Sequence, residues 1–267
     1  PVYPASRAPV PLHPFADFCV AQSLGAYHAH PLLVLVTNIR PDLCSPSFPF
    51  PATVDAGDHL IDRGENPLDL NVFSSRRGNW EVMIRGLFTN RTVRNLLAAD
   101  IPAGSTIHAG TGEVLPLWDA AQRYEAEGKS VVVVAGERYG MGSSRDWAAK
   151  GVALLGVRAV LAASFERIHR WNLIGMGVLP LRLPQGLKPE QLELTARDTI
   201  MVNADVLSIA PRCAIPVTIT RPSGDSISFE ASAALETRAE IAILRAGGVL
   251  PLILERLHRP AGERQRA

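Results

Sequence analysis

The central part of the chain alternates between segments with a strand-like pattern and segments with a helix-like pattern. Residues 131–135 are four valines followed by an alanine, which is typical of a strand buried on both faces. Strand-like runs recur at 158–162 and 177–181, and segments with helical character at 145–155 and 165–174 separate the three runs. A helix that joins two strands usually returns the chain so that the strands lie parallel. The sequence therefore predicts an α/β fold built on parallel strands.

Further segments extend this core on both sides. An apolar run at 32–36 has the pattern of another buried strand. Residues 215–220 and 226–229 flank a Ser-Gly-Asp turn, which predicts a β-hairpin. A helix is expected at 237–246, because two consecutive glycines follow it and would end it.

These patterns divide the chain into three parts. Residues 1–30 are rich in proline and show no periodicity, so we expect an irregular N-terminal extension there. Residues 31–258 carry the strand and helix patterns and are predicted to form one domain. Residues 259–267 are predicted to be a polar tail.

The composition excludes several classes of protein. The formal net charge of the 267 residues is +1, which disfavours a partner that is a nucleic acid or a membrane surface. No apolar run approaches the ~20 residues that a membrane-spanning helix needs. The three cysteines, Cys19, Cys44 and Cys213, form no Cys-x-x-Cys pair, so neither a disulfide framework nor a self-contained zinc or iron–sulfur site is expected. We expect a reducing, cytoplasmic location.

The sharpest local feature is the sequence Gly-Met-Gly-Ser-Ser-Arg at residues 140–145. It follows a predicted buried strand and precedes a predicted helix, so free N–H groups and the positive end of the helix dipole meet there. Two hydroxyls and a guanidinium in the same turn suit a carboxylate. A structural interpretation fits the local pattern equally well: Ser143 would only cap the helix, and Arg145 would be a solvated surface residue.

Five blocks of the sequence resemble the C-terminal swivel domain of the aconitase family. They occur in the family's order, over roughly residues 60–257, at residues 75–83, 140–151, 164–170, 172–181 and 245–251. The resemblance implies a swivelling α/β domain with strand and helix layers. It also implies a hydro-lyase that interconverts citrate and isocitrate through cis-aconitate, as in the tricarboxylic acid cycle.

The resemblance assigns roles to individual residues. Ser143 matches the serine that acts as the base and removes a proton from a substrate carbon. Ser144 and Arg145 match the residues that bind a substrate carboxylate. The family also uses an arginine that directly precedes a glycine early in this domain, and Arg63 is our candidate for this second carboxylate-binding arginine.

Two other stretches of the sequence contain residues whose correspondence to the family needs separate comment. The family's Thr-Asp-His-Ile-Ser stretch corresponds to a segment in which only Asp42 and Ser45 are retained, so these two residues are further substrate-binding candidates. Arg76 and Arg77 lie in the block at 75–83, and we interpret them as structural residues.

The resemblance also implies that a metal cluster must be supplied from outside this chain. The family uses a 4Fe–4S cluster, held by three cysteines on other domains, to bind the substrate hydroxyl as it leaves. This chain lacks such a set of cysteines. We therefore expect a tricarboxylate substrate, a cluster supplied by other aconitase domains or by a subunit, no cofactor or metal bound by this chain, and no activity from the chain alone.

Two alternatives remain open at this point. The chain could be the small subunit, or a fragment, of a related hydro-lyase that acts on isopropylmalate or on 2-methylcitrate and 2-methylisocitrate. It could instead be a non-catalytic, RNA-binding domain of the iron-regulatory kind, although the low net charge disfavours this.

Overall fold

The computed structural model describes residues 24–36, 44, 46, 55–141 and 146–258. The strands are β1 (Gly25–Val34), β2 (Ser105–Ile107), β3 (Val114–Pro116), β4 (Ser130–Ala135), β5 (Val157–Ala162), β6 (Leu179–Arg182), β7 (Thr199–Ala204), β8 (Ala214–Thr220) and β9 (Ser226–Ala233). The α-helices are α1 (Asp55–Ile61), α2 (Trp80–Arg85), α3 (Leu117–Ala126), α4 (Asp146–Leu154), α5 (Arg167–Gly175), α6 (Arg238–Arg245) and α7 (Val249–His258). Short 3-10 helices cover Phe73–Arg76 and Pro189–Leu192.

Seven of these strands form a closed barrel in the order β1-β4-β5-β6-β9-β8-β7. One half of it is parallel, because β4 pairs with β1 on one side and β5 on the other, and β5 pairs with β6. The other half is antiparallel and returns to β1 through the pairing of β7 with β1. Closure leaves no free edge in the sheet, which removes a site of unwanted strand pairing.

The valine run of β4 is buried on both faces, and this explains why it shows no alternation with polar residues. Val132 and Val134 belong to a core cluster inside the barrel that also contains Leu161, Ile200 and Val217. Val131 and Val133 point the other way, into a second cluster that includes helix residues of α3 and α4. The α/β fold class predicted from the sequence is confirmed, whereas the closure into a barrel is a finding of the structure.

The predicted elements are present with small shifts at their ends. The three parallel strands are β4, β5 and β6, and the predicted hairpin is β8–β9, in which Ile219 pairs with Ile227. The helix predicted at 237–246 is α6, and the Thr237 side chain caps it by accepting a hydrogen bond from the backbone N–H of Glu240.

The first strand differs most from its prediction. It begins at Gly25, inside the stretch for which the sequence predicts no regular structure. Its first residues alternate between buried and exposed positions, because Tyr27 and Ala29 face the core while Ala26 and His28 face solvent. Residues 1–23 of the predicted extension, and the tail from residue 259, lie outside the described residues. In the part of the chain that the structure describes, no helix has the length and apolarity needed to cross a lipid bilayer.

Candidate functional site

The segment that follows β4 makes a tight turn at the carboxyl end of the parallel strands. The backbone N–H of Met141 donates to the carbonyl oxygen of Arg138 at 3.1 Å. Arg138 and Gly140 both have positive φ angles, of 56° and 83°. Glycine adopts this region readily, but for arginine it is strained, and strained backbone tends to occur at functional sites. Ligands of α/β proteins commonly bind at this end of the strands.

Backbone hydrogen bonds fasten this turn to the segment that follows β5. Tyr139 donates its N–H to the carbonyl oxygen of Ser164 at 2.9 Å, and its own carbonyl oxygen accepts from the N–H of Glu166 at 2.9 Å. The N–H of Arg138 also donates to Oγ of Ser164 at 2.8 Å. The two segments therefore form one rigid edge above the barrel.

A buried histidine supports the turn from below. His169, on α5, is 2% exposed, and its ring lies directly against the backbone of Gly140. The centroids of the His169 and Tyr139 rings are 5.0 Å apart in an edge-to-face arrangement. Burial lowers the pKa of His169 to about 4, so the ring is neutral at pH 7.

The start of α4 is anchored on its other side. The N–H of Trp147 donates to Oδ1 of Asp146 at 2.9 Å, and Nε1 of Trp147 donates to the carbonyl oxygen of Arg77 at 3.0 Å. The indole is 5% exposed and packs in a cluster with Phe73 and Met83. These contacts bring the sequence block at 75–83 against α4, the helix that follows residues 140–145, which we call the glycine-serine loop.

The four residues between these anchors include the central predictions of the sequence analysis. Ser143, Ser144 and Arg145 lie outside the described residues, as do Asp42 and Ser45. Their roles therefore stay predictions.

The structure places the three arginines that lie between α1 and α2, and their surroundings differ. Arg63 contacts the His59 ring and forms an ion pair with Glu81, with 3.1 Å between Nη2 and Oε1. Arg76 holds Glu65 with both terminal nitrogens, at 2.7 and 2.5 Å, which agrees with the structural interpretation of this residue.

Arg77 is the exception among these arginines. Its side chain is exposed, and within the described part of the chain its guanidinium has neither an ion pair nor a hydrogen bond. The sequence pattern favours a structural role for Arg77. However, Arg77 directly precedes Gly78, so it satisfies the same Arg-Gly pattern that selected Arg63.

The described residues do not offer a ligand set for a metal or a cluster. Among them, no three His, Cys, Asp or Glu side chains are grouped so that they could hold a metal ion. Cys44 is a buried free thiol and Cys213 is a partly buried one, and they lie in different core clusters. An iron–sulfur cluster does not fit these residues.

Comparison with known proteins shows the family. Residues 58–186 match the family model described as the aconitase C-terminal domain. The chain is 42% identical over 226 residues to aconitate hydratase A of Pseudomonas aeruginosa, which covers 85% of the chain and 25% of the relative. It is 44% identical over 229 residues to aconitate hydratase A of Thermus thermophilus, with the same two shares, so the chain spans about a quarter of the length of these relatives.

A solved structure, 3-isopropylmalate dehydratase of Methanocaldococcus jannaschii, overlaps 87% of the chain and 95% of its own chain at 19% identity, with a TM-score of 0.41. The blocks at 75–83, 140–151, 164–170 and 172–181, which include Arg77 and the anchored turn, fall within the residues that the family model matches. The chain belongs to the aconitase family, in which it corresponds to the C-terminal domain.

Proposed function

We propose that this chain forms one face of an aconitase-type active site that interconverts citrate and isocitrate through cis-aconitate. The observation that carries the proposal is the rigid edge at the carboxyl ends of β4 and β5. It holds Met141 on one side of the glycine-serine loop, while Trp147 and Arg77 hold α4 on the other side. A base and a carboxylate-binding group must be positioned closely to act in one reaction, and anchoring both ends of a short loop provides this.

Within this proposal, Ser143 accepts the proton from the substrate carbon. A serine hydroxyl is a weak base, so its alkoxide must be favoured by nearby positive charge. The positive end of the α4 dipole and the guanidinium of Arg145 supply such charge. Ser144 and Arg145 bind a substrate carboxylate, which an arginine can hold with two parallel hydrogen bonds.

We further propose that the 4Fe–4S cluster is held by aconitase domains or by a subunit outside this chain. When bound, the cluster supplies a Lewis acid for the substrate hydroxyl. The described residues include no ligand set for it. In this proposal the chain contributes substrate binding and proton transfer.

A fusion enzyme tests the proposed function. In the fusion, residues 24–258 replace the matching quarter of aconitate hydratase A of Thermus thermophilus. The rest of that protein stays unchanged. We expect the fusion to hydrate cis-aconitate, measured as the loss of its ultraviolet absorbance, and the isolated chain to be inactive. A correctly folded fusion with a loaded cluster and no activity would contradict the proposal, and so would turnover by the chain alone.

Arg63 and Arg77 are competing candidates for the second carboxylate-binding residue. Arg63 is already neutralised by Glu81, whereas Arg77 is free of ion pairs in the described part of the chain and adjoins α4. We therefore expect Arg77→Gln to raise the KM of the fusion about 10- to 100-fold, because a charged hydrogen bond contributes roughly 1.5–3 kcal/mol. The Trp147 contact uses the backbone of Arg77, so the substitution leaves it in place.

Arg63→Gln is the matched comparison for this prediction. We expect it to change KM less than about threefold, because its ion pair is largely exposed and such pairs contribute little. A large rise in KM for Arg63→Gln, with little change for Arg77→Gln, would instead support Arg63 as the carboxylate-binding residue.

A further inference from the structure

The last helix, α7, is apolar around most of its circumference and leaves much of that surface in water. Six of the nine residues at 249–257 are aliphatic, and none of the nine is fully buried. Leu250 and Leu257 are each 61% exposed, and Ile253 is 46% exposed. A helix of this composition is normally buried, or turns its apolar side toward a core. The described part of the chain therefore leaves the apolar surface of α7 largely uncovered.

A tryptophan on α5 extends this surface. Trp171 is 46% exposed. The position that a Cβ atom of Gly175 would occupy lies 3.7 Å from Cγ2 of Val249 and 3.8 Å from Cζ3 of Trp171, so the indole and the first residue of α7 meet over this glycine. Val249 and Ile253 are four residues apart and so lie on the same side of α7. We call the following four side chains the α5–α7 patch: Trp171, Leu250, Ile253 and Leu257.

The helix α7 begins at the end of the barrel opposite to the candidate site. α5 starts after β5, at the carboxyl ends of the parallel strands, and ends at Gly175 before β6. Gly248 packs against that end of α5, because its Cβ position would lie 2.8 Å from the carbonyl oxygen of Gly175. Val249 and Leu252 then pack against the core cluster inside the barrel. In the proposed function, the cluster-bearing domains face the carboxyl ends of the strands, so they lie away from the start of α7.

The charged residues beside the patch are balanced in sign. Among the described side chains of α7, the charged ones are Glu255 and Arg256, and both are exposed. An anionic membrane or a nucleic acid would favour an excess of basic residues at this position. A surface that pairs with a copy of itself instead favours balance, because an excess of one sign would repel the same sign on the other copy. The charge therefore favours a second copy of this chain as the partner.

The area of the patch is sufficient for such a pair. Continuous apolar patches of a few hundred Å² often mark interaction sites, and the patch with the partly exposed aliphatic side chains of α7 amounts to about 500 Å². Two copies that cover each other's patch would bury about 1,000 Å², which is close to the lower limit for a specific interface. The area thus predicts a dimer of modest affinity.

We infer that the α5–α7 patch is the interface of a symmetric homodimer. A two-fold axis places α7 of one copy against α7 and Trp171 of the other, and this removes the exposed leucines and isoleucine from water. Tryptophan is the side-chain type that most often dominates the energy of an interface. The start of α7 lies at the amino ends of the parallel strands, so the opposite ends of β4 and β5 stay open in both copies. The dimer requires no catalytic activity.

The mass of the full chain in solution, measured by light scattering, tests the inference. At about 100 µM, we expect twice the 28.8 kDa mass of one chain, with dissociation on dilution and a micromolar Kd. Ile253→Glu and Leu257→Glu should each raise this Kd at least about 30-fold, because each substitution places two charges in a symmetric interface. Trp171→Gln should also raise the Kd, since α5 contributes to the same patch.

Leu68→Glu is the matched control. Leu68 is 95% exposed and lies between α1 and α2, and the neighbouring Leu70 belongs to the core cluster around Phe73, not to the cluster that α7 packs against. We expect this variant to dimerise like the wild type, and circular dichroism checks that every variant is folded. A wild-type chain that is a monomer at about 100 µM would overturn the inference, and so would an unchanged Kd in both α7 variants.

Other occupants of the patch would give different results. A wild-type chain that stays monomeric and binds vesicles of anionic phospholipid would assign the patch to a lipid surface and refute the dimer. A monomeric chain whose fusion enzyme is inactivated by Ile253→Glu would assign the patch to the aconitase domains and also refute the dimer. An inactive wild-type fusion, together with a dimeric chain, would refute the proposed function and retain the interface.

Discussion

Replacing Ser143 with alanine in the fusion enzyme is expected to lower kcat about a thousandfold, within the range of 10²–10⁴ that is typical for the loss of a positioned general base. The substitution removes the only proposed proton acceptor and keeps the size of the side chain small. KM should change little, because Ser144 and the arginines hold the substrate carboxylates in both forms. The measurement is the steady-state rate of cis-aconitate hydration, with the cluster content determined in each preparation.

The matched control for the loss of a hydroxyl is Ser75→Ala. The Ser75 hydroxyl is exposed and donates to the carbonyl oxygen of Val72 at 2.7 Å, in the segment that also carries Arg77. We expect its kcat to stay within about twofold of the wild type, because a single exposed hydrogen bond contributes little. A Ser143→Ala enzyme whose kcat is as high as that of the control would refute the assignment of Ser143 as the base.

Replacing Gly140 with alanine is expected to lower the free energy of unfolding by about 3 kcal/mol, from two contributions of roughly 1–2 and 1–3 kcal/mol. The first contribution is the positive φ angle of 83°, which a residue with a Cβ atom rarely adopts. The second is overlap, because the new methyl group would collide with the ring and the Cβ atom of His169. The histidine cannot move away easily, since Tyr139 packs against its ring. Urea unfolding of the full chain measures the loss.

Gly186→Ala separates the two contributions. Gly186 has nearly the same φ angle, 84°, but no atom lies within 4 Å of the position that its Cβ atom would occupy. This variant should therefore show only the conformational cost of roughly 1–2 kcal/mol. The collision is tested by adding His169→Ala to Gly140→Ala, which should reduce the effect of the glycine substitution by more than about 1 kcal/mol. Equal losses at Gly140 and Gly186 would contradict the steric argument.

The position of Gly140 connects stability to the proposed function. A methyl group at this position could be accommodated only by lifting the turn away from α5, and the turn is continuous with the loop that contains Ser143. The fusion enzyme with Gly140→Ala should therefore lose activity even at temperatures at which it stays folded. Gly186→Ala should retain activity at the same temperatures, because its turn lies between β6 and the Pro189–Leu192 helix.

The elements that the sequence predicted well are those whose signals are local. The valine run of β4 predicts a strand buried on both faces, and the Ser-Gly-Asp turn predicts the β8–β9 hairpin. Both patterns lie within a few residues of sequence. The start of β1 was placed too late. Its first half is buried on one face only and includes His28 and His30, so it lacks the continuous apolar run that marked the second half.

The candidate site was predicted in part. The sequence located the glycine-serine loop and its position after a strand, and the family resemblance supplied the roles of its residues. It did not indicate that Arg77 lies beside α4, because the hydrogen bond from Trp147 joins residues 70 positions apart. Arg63 has an ion pair and Arg77 has none among the described residues, and this contrast likewise depends on which carboxylates lie nearby in space.

The amino-acid sequence by itself determined the α/β class and the order of the principal strands and helices, and it predicts an anion-binding loop before α4. Only the tertiary structure decided that the sheet closes through β7 and β1, that His169 supports Gly140, and that Trp171 meets the first residue of α7. The physical reason is the range of the interactions. Backbone preference and hydrophobic periodicity act over a few residues, whereas closure, steric support and the pairing of charges depend on side chains that only folding brings together.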